Sequence, residues 1–348
     1  MPLRTFILGV LALLPIAVLA GNPAYSEFNN GAVTDNVRWL DDRGELINAH
    51  DGGILYDHGI YYWYGMALRP LGLGHGGATG AATTTGIVLY SSKDLYNWAY
   101  EGVILACSSD PANPLHGPMR MERPKMVYNA GTKQYVLWFH YVKYPGDHGD
   151  APGYADAGVA TADSVRGPFS FHGLQRPVEA AAAVKDCTLF QDDDGSAYFI
   201  YDHKLPAERC LYIVKLTDDY LRFSGVWAKI PAGTRREAPV MLKHNGYYFL
   251  ISSGVSGWTA NAAGYFRAKN ILGPYEDMGE PCAGPDNQTT YHSQPSFALP
   301  VADQSGSIIL VLERHNTVDF TRCSYIWLPV EFPTPDTLHL AYRTRWAH

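Results

Sequence analysis

A tight polar turn followed at once by a short aromatic or β-branched run recurs five times along the chain. Tyr61-Tyr62-Trp63-Tyr64 follows Asp57-His58-Gly59, and the run Tyr135 to His140 follows Asn129-Ala130-Gly131. Tyr198-Phe199-Ile200-Tyr201 follows Asp193-Asp194-Gly195, Tyr247 to Ile251 follows His244-Asn245-Gly246, and Ile308 to Leu312 follows Gln304-Ser305-Gly306. Gly and Asn tolerate positive φ, so such turns join antiparallel strands. A further strand signal and a second turn come after several of the runs. Examples are Gly86 to Tyr90 leading to Leu95-Tyr96-Asn97-Trp98, and Ala157 to Ala160 leading to Gly167-Pro168-Phe169. Each unit thus reads as a hairpin, a third strand and an outer strand. No stretch shows the apolar spacing of a long amphipathic helix. Five units of about four strands predict an all-β chain with radial repetition, a five-bladed β-propeller. A β-sandwich would need fewer strands and would not require five equivalent hairpins.

The first twenty residues stand outside this pattern. Arg4 precedes an apolar run from Phe6 to Leu19, and the segment ends Ala17-Val18-Leu19-Ala20. This is a secretory leader pattern, so residues 1–20 are expected to be removed and residues 21–348 to form the catalytic propeller. No later run is long enough to span a bilayer, so no membrane association is expected after cleavage. The expected location is secreted, extracellular or periplasmic. Cys107, Cys187, Cys210, Cys282 and Cys323 are too widely spaced for a disulfide framework or a zinc knuckle. Cys187 and Cys210 could pair, and buried free thiols are the alternative. The formal charge of -7 gives no basic surface for nucleic acid.

The chemistry-bearing residues cluster beside strand signals. Glu122 sits in Met121-Glu122-Arg123-Pro124-Lys125, and Asp186 precedes Cys187-Thr188-Leu189-Phe190. Glu237 sits in Arg236-Glu237-Ala238-Pro239, and Gln294 in His292-Ser293-Gln294-Pro295. First strands of propeller blades line a central channel, so these four would converge on one funnel. Glycoside hydrolysis needs such a set: one carboxylic acid protonates the leaving oxygen, and a second group activates water or attacks. The 45 aromatic residues, 24 of them Tyr and 8 Trp, supply flat faces for sugars. Tyr64 and Trp258 are the candidates for that contact. Each carboxylate also has a structural reading: Glu122 paired with Arg123 or Lys125, Asp186 capping a turn, Glu237 bridged to a neighbouring arginine. His50 and His292 lack metal-ligand spacing and are read as sugar-binding or core hydrogen-bonding residues. Asp192-Asp193-Asp194 precedes Gly195 and is read as a hairpin turn, since the calcium-loop pattern is incomplete. No metal and no cofactor is expected.

Together with Asn48 to Ile54, Tyr61 to Gly65, Ser91 to Leu95, Gly257-Trp258 and Tyr325 to Pro329, these segments make the chain resemble glycoside hydrolase family 43. The resemblance is nearest to its exo-β-1,3-galactanase branch and runs from about Trp39 to Trp346. It implies an inverting, exo-acting hydrolase that releases galactose from the β-1,3-galactan backbone of arabinogalactan or a related plant cell-wall polysaccharide. It implies Glu237 as general acid, Asp186 as the residue that adjusts and orients it, Glu122 as a substrate-holding carboxylate, and Gln294 as the contact of the attacking water. The chain departs from the branch at Ala49-His50-Asp51-Gly52-Gly53, where Asp51 replaces a glycine. Asp51 could act as base, bind a sugar hydroxyl or narrow the pocket. The alternatives are an α-L-arabinofuranosidase or β-xylosidase of the same family, or a non-catalytic carbohydrate-binding propeller.

Overall fold

The computed structural model describes residues 24–70, 82–143, 151–177, 183–204, 209–230, 235–302 and 306–348. The leader at residues 1–20, the Gly-rich stretch 71–80 and most of the loop 144–155 lie outside the described residues. Sheet one comprises His50–Asp57, Ile60–Pro70, Ala82–Ser92 and Ala99–Ala106. Sheet two comprises Met119–Asn129, Gln134–Lys143, Ala155–Ala162 and Ser170–Gln175. Sheet three comprises Ala183–Gln191, Ala197–Lys204, Arg209–Leu216 and Phe223–Lys229. Sheet four comprises Arg236–His244, Tyr247–Gly254, Gly264–Ala268 and Glu276–Asp277. All four are antiparallel meanders in chain order. Sheet five has three strands, Gln294–Pro300, Ile308–Arg314 and Ser324–Pro329.

The expected blade count is corrected here from five to six. Cys282–Ala283, Thr337–Ala341 and Glu331–Thr334 form a sixth sheet of three strands. The miscount has a physical reason. The sixth sheet contains no aromatic hairpin run, and its two-residue strand Cys282–Ala283 pairs in parallel with a segment from the chain's end. A parallel pairing across that sequence distance leaves no local turn signal. The sixth sheet packs on Ser324–Pro329, the outer strand of sheet five. The first strands of sheets one to five adjoin one another in order, and that of sheet five returns to that of sheet one.

Middle strands are buried on both faces, which explains their unbroken apolar runs. Tyr135 to Tyr141 in sheet two is buried at every position. The return from sheet five to sheet one is sealed by aromatics. Trp63 of sheet one meets Tyr325 at 4.6 Å and Trp327 at 5.2 Å, both edge-on, and Trp98 at 5.3 Å. Such pairs contribute about 0.5–1.5 kcal/mol each beyond area burial. Phe28–Asn29 pairs with Arg345–Trp346, so the two ends of the described chain meet over the same cluster. The expected turn at Asp192 is present: Gly195 N donates to Asp192 O at 2.9 Å, and Lys243 bridges Asp192 and Asp193. Cys187 and Cys210 are buried and not joined by a disulfide, so the pairing alternative is not realised.

Sheet one shows how tightly the central strands are fitted. A methyl group on Gly52 would lie 1.7 Å from the Tyr64 carbonyl oxygen, in the neighbouring strand. Gly246 has φ of +72° but nothing within 4 Å of that position. Gly52→Ala should therefore destabilise the fold by about 3 kcal/mol or more through backbone collision. Gly246→Ala should lose only about 1–2 kcal/mol through its conformation. Denaturant unfolding of both variants checks the order, and equal losses would refute the close-packing account.

Candidate active site

The inner strands of sheets one to five share one irregularity. Each shifts register near its beginning: between His50 and Gly53, Glu122 and Lys125, Val184 and Cys187, Glu237 and Val240, and Pro295 and Phe297. A bulge interrupts the alternation of side chains and re-aims the residues beside it. Pro124, Pro239 and Pro295 fall at these bulges, where the missing N–H breaks no ladder hydrogen bond. Asp51, Arg123 and Ala238 hold φ of 53°, 50° and 52° at the same places. The strained turns point five strand ends into one central depression of about 340 Å³.

Glu122, Asp186, Glu237, Gln294, Asp51 and Trp258 all line that depression. Two other candidates do not, and their reading as sugar contacts is corrected. Tyr64 is fully buried, and its hydroxyl accepts from Met126 N at 2.8 Å behind the cavity wall. His50 is also buried, with Nδ1 2.7 Å from Glu313 Oε1. Residue type alone did not show which side of the bulge each would face. His292 lines a neighbouring cavity, which also has Trp258, Gln294 and His315 in its wall.

Arg123 organises the floor. Its Nη2 donates to Gln294 Oε1 at 2.5 Å and its Nη1 to Pro295 O at 2.9 Å, while Nε lies 3.2 Å from Asp186 Oδ2. Asp51 Oδ1 is 4.0 Å away. Burial works against the guanidinium charge, but Asp186, Asp51 and Glu237 outweigh it and push its pKa further up. Asp186 Oδ2 also accepts from Ala238 N at 3.1 Å, which seats that carboxylate beside the backbone of Glu237. Gln294 Nε2 donates to Ser253 Oγ at 2.9 Å and lies 3.4 Å from Glu237 Oε1. Arg236 Nη1 donates to Ala262 O at 3.2 Å.

The opposite wall belongs to sheet two. Glu122 is not paired with Arg123 or Lys125 as the structural reading expected. Arg120 Nη1 donates to its Oε1 at 2.9 Å, and His140 Nδ1 lies 3.2 Å from Oε2. Burial disfavours the charged carboxyl, but His140 and Arg120 reverse that and hold it at about 2. Lys125 is buried and donates to the carbonyls of Asp51 and Pro124. Burial, and then Arg123, bring its ammonium down to about 7. Asp51 is kept well below the usual carboxylate range: burial opposes this, but Arg123 and His315 prevail. The sequence reading missed Arg120, His140, Glu313 and His315. The available signal was a polar residue, His140, ending the apolar run at Tyr135, directly across from Glu122.

Among the described residues, three groups could offer ligand atoms to a metal: His50–Glu313–Cys323, Asp51–Glu313–His315 and Glu122–His140–Asp186, each within 4.8 Å. Glu313 in the first two already accepts from His50 and from Asp51 N. Arg120 and Arg123 stand against the carboxylates of the third, where they oppose a further cation.

A central pit with carboxylates from separate strands, an amide and an open indole is the equipment of a carbohydrate-processing propeller. The family of glycosyl hydrolases known as family 43 matches residues 48–296, and the chain belongs to it. Among solved structures, a family-43 β-1,3-galactosidase with galactodeoxynojirimycin is 32% identical, with TM-score 0.79, over 90% of this chain and 99% of that one. An exo-β-1,3-galactanase from Clostridium thermocellum is 32% identical over 92% of this chain and 66% of its own, TM-score 0.76. One from Phanerochaete chrysosporium, with galactose, is 27% identical over 92% and 68%, TM-score 0.77. Among curated proteins, a xylan 1,3-β-xylosidase from a Vibrio species is 28% identical over 55% of this chain and 36% of its own length. A xylosidase/arabinosidase from Humicola insolens is 25% identical over 55% and 35%. The chain thus spans about a third of the length of these curated relatives.

The low pKa of Glu122 carries a stability consequence with a definite sign. A carboxyl whose folded value lies at about 2, below its ordinary 4.5, stabilises the native state above pH 4.5 by roughly 3 kcal/mol. That contribution is lost as pH falls from about 4.5 towards 2. Glu122→Gln should flatten the acid limb of urea-derived stability over this window. An unchanged limb would overturn the Arg120–Glu122–His140 account.

Proposed function

We propose that this protein is an inverting, exo-acting glycoside hydrolase that releases galactose from β-1,3-galactan. The observation that carries the reading is the seating of Asp186 against the backbone of Glu237, in one cavity with Glu122 and Gln294. The galactanase and galactosidase names of the structural relatives support the substrate. Glu237 donates the proton to the departing oxygen. Asp186, held by Arg123 and by Ala238 N, orients the acid. Glu122, with both oxygens braced, accepts hydroxyls of the galactosyl ring. Gln294 positions the water. Arg123 fixes the amide oxygen, so proton acceptance there requires a tautomer or a relay. Asp51 takes a hydroxyl contact at the same floor. The cavity across Trp258, about 160 Å³ and lined by His292 and Asn261, receives the sugar that leaves. The leader pattern at residues 1–20 supports export to where plant cell-wall polysaccharides are met.

The xylosidase and arabinosidase names of the curated relatives favour one second reading, β-xylosidase or α-L-arabinofuranosidase activity. Product analysis on β-1,3-galacto-oligosaccharides, xylan and arabinan separates the two. Galactose should appear from the first, and proton resonance taken early should show the α-anomer. Prompt β-galactose would refute inversion, and sugar from xylan or arabinan alone would refute the galactan reading. Glu237→Gln should lower kcat by about 10²–10⁴ with the fold intact. Undiminished turnover by the folded variant would remove Glu237 from its role.

A further inference from the structure

The structure assigns His140 as a substrate-binding residue that reads one hydroxyl of the sugar in the central cavity, next to the hydroxyl held by Glu122. The inference rests on the proposed function and extends it to a residue that neither the sequence motifs nor the relatives' names point to. His140 is 3% exposed, yet lines the cavity. Its Nδ1 faces Glu122 Oε2 at 3.2 Å. Its Nε2 has no hydrogen-bond partner among the described residues. A buried nitrogen left in that condition is unfavourable, and native proteins keep few of them. His140 lines a cavity that in the proposed function takes a polyhydroxylated ligand, and a hydroxyl that reaches Nε2 satisfies it.

The surroundings fix the ring. Glu122 and His140 are direct cross-strand partners, so their side chains stand on the same face of sheet two. Glu122 accepts from Arg120 on its other oxygen, and Arg120 Nε is tied to Ala82 O at 3.1 Å. The Glu122 carboxylate faces Nδ1 without full hydrogen-bond geometry, and its charge favours the proton on that nitrogen. In the neutral ring Nε2 is then an acceptor for a hydroxyl proton, and in the charged ring it is a donor to a hydroxyl oxygen. On the far side, Asp186 brings a carboxylate oxygen within 4.8 Å of the atoms offered by Glu122 and His140. His140 therefore stands between the ring-holding carboxylate and the group beside Glu237. Its geometry suits adjacent hydroxyls on one edge of a pyranose, with Glu122 taking one and His140 the other.

The test is a cycle between side chain and substrate. Cleavage of β-1,3-galactobiose is compared with cleavage of analogues lacking one hydroxyl of the non-reducing ring, in the wild type and in His140→Phe and His140→Gln. In the wild type, removing the hydroxyl read by His140 should lower kcat/KM about ten- to a hundredfold. His140→Phe should lose a similar factor on the intact disaccharide and nothing more on that one analogue. His140→Gln, which restores a polar atom, should recover part of the loss on the intact substrate only. A purely structural role would multiply the losses on every analogue, and that outcome overturns the assignment. Should His140→Phe fail to fold, His140→Asn takes its place in the same cycle. If the wild type cleaves xylosides or arabinofuranosides but no galactoside, the galactan reading fails alone, and the cycle is run on the deoxy series of the accepted sugar. If it cleaves no glycoside, both fall.

Discussion

One buried guanidinium holds the centre of this molecule together. Arg123 enters from sheet two, pairs with Asp186 of sheet three, and bonds the side chain of Gln294 and the carbonyl of Pro295 in sheet five. Asp51 of sheet one stands at its edge. The bulged ends of the inner strands present polar side chains to one cavity, so apolar packing does not join them there. A planar fork with five donors can bond several strands at once, and it remains charged at any pH of interest. The arrangement is costly in isolation, because charges taken from water are recovered only through complete pairing. It persists because each partner of Arg123 is also held elsewhere: Asp186 by Ala238 N and Gln294 by Ser253.

That constraint separates what was legible in the sequence from what was not. Strands and hairpins follow local rules, so the five aromatic or β-branched runs and their turns announced an all-β repeat. The sixth sheet depends on Cys282–Ala283 meeting residues near the chain's end, and nothing local records such a pairing. The site shows the same division. Glu122, Asp186, Glu237 and Gln294 were visible as polar residues beside prolines or strand starts, and the structure brings them round one cavity. Tyr64 was placed at the sugar on residue type alone and is buried against Met126 N, and His50 takes the core hydrogen bond that was its alternative reading. Gly53, not the next residue in simple alternation from His50, stands opposite Tyr64. The partners of Glu122 were missed for a related reason. Arg123, its neighbour in sequence, is turned by positive φ towards the floor, whereas Arg120 and His140 reach Glu122 from the same face.

The bulges also divide the chemical work of the cavity. The wall from sheet two is a fixed comb of Arg120, Glu122 and His140, with the carboxylate locked in its charged form. Such a group accepts hydrogen bonds and is a poor proton donor near neutrality. Across the cavity, Asp186 bonds Ala238 N and Glu237 lies 3.4 Å from the Gln294 amide. In the proposed reaction, binding and proton transfer are thereby given to different carboxylates, set apart by their partners rather than by residue type.

Trp258 ties these walls to the approach. It is 40% exposed, packs edge-on against Phe320 at 4.6 Å and His315 at 5.1 Å, and has Arg120 over its ring at 5.4 Å. One residue thus borders two cavities and touches the supports of both. Its indole rests on Arg120, which braces Glu122, and on His315, which lies 3.5 Å from Asp51. In the proposed reaction Trp258 therefore stands between the cavity of the ring and the cavity of the departing sugar. Its contacts with Arg120 and His315 place it against the supports of both Glu122 and Asp51.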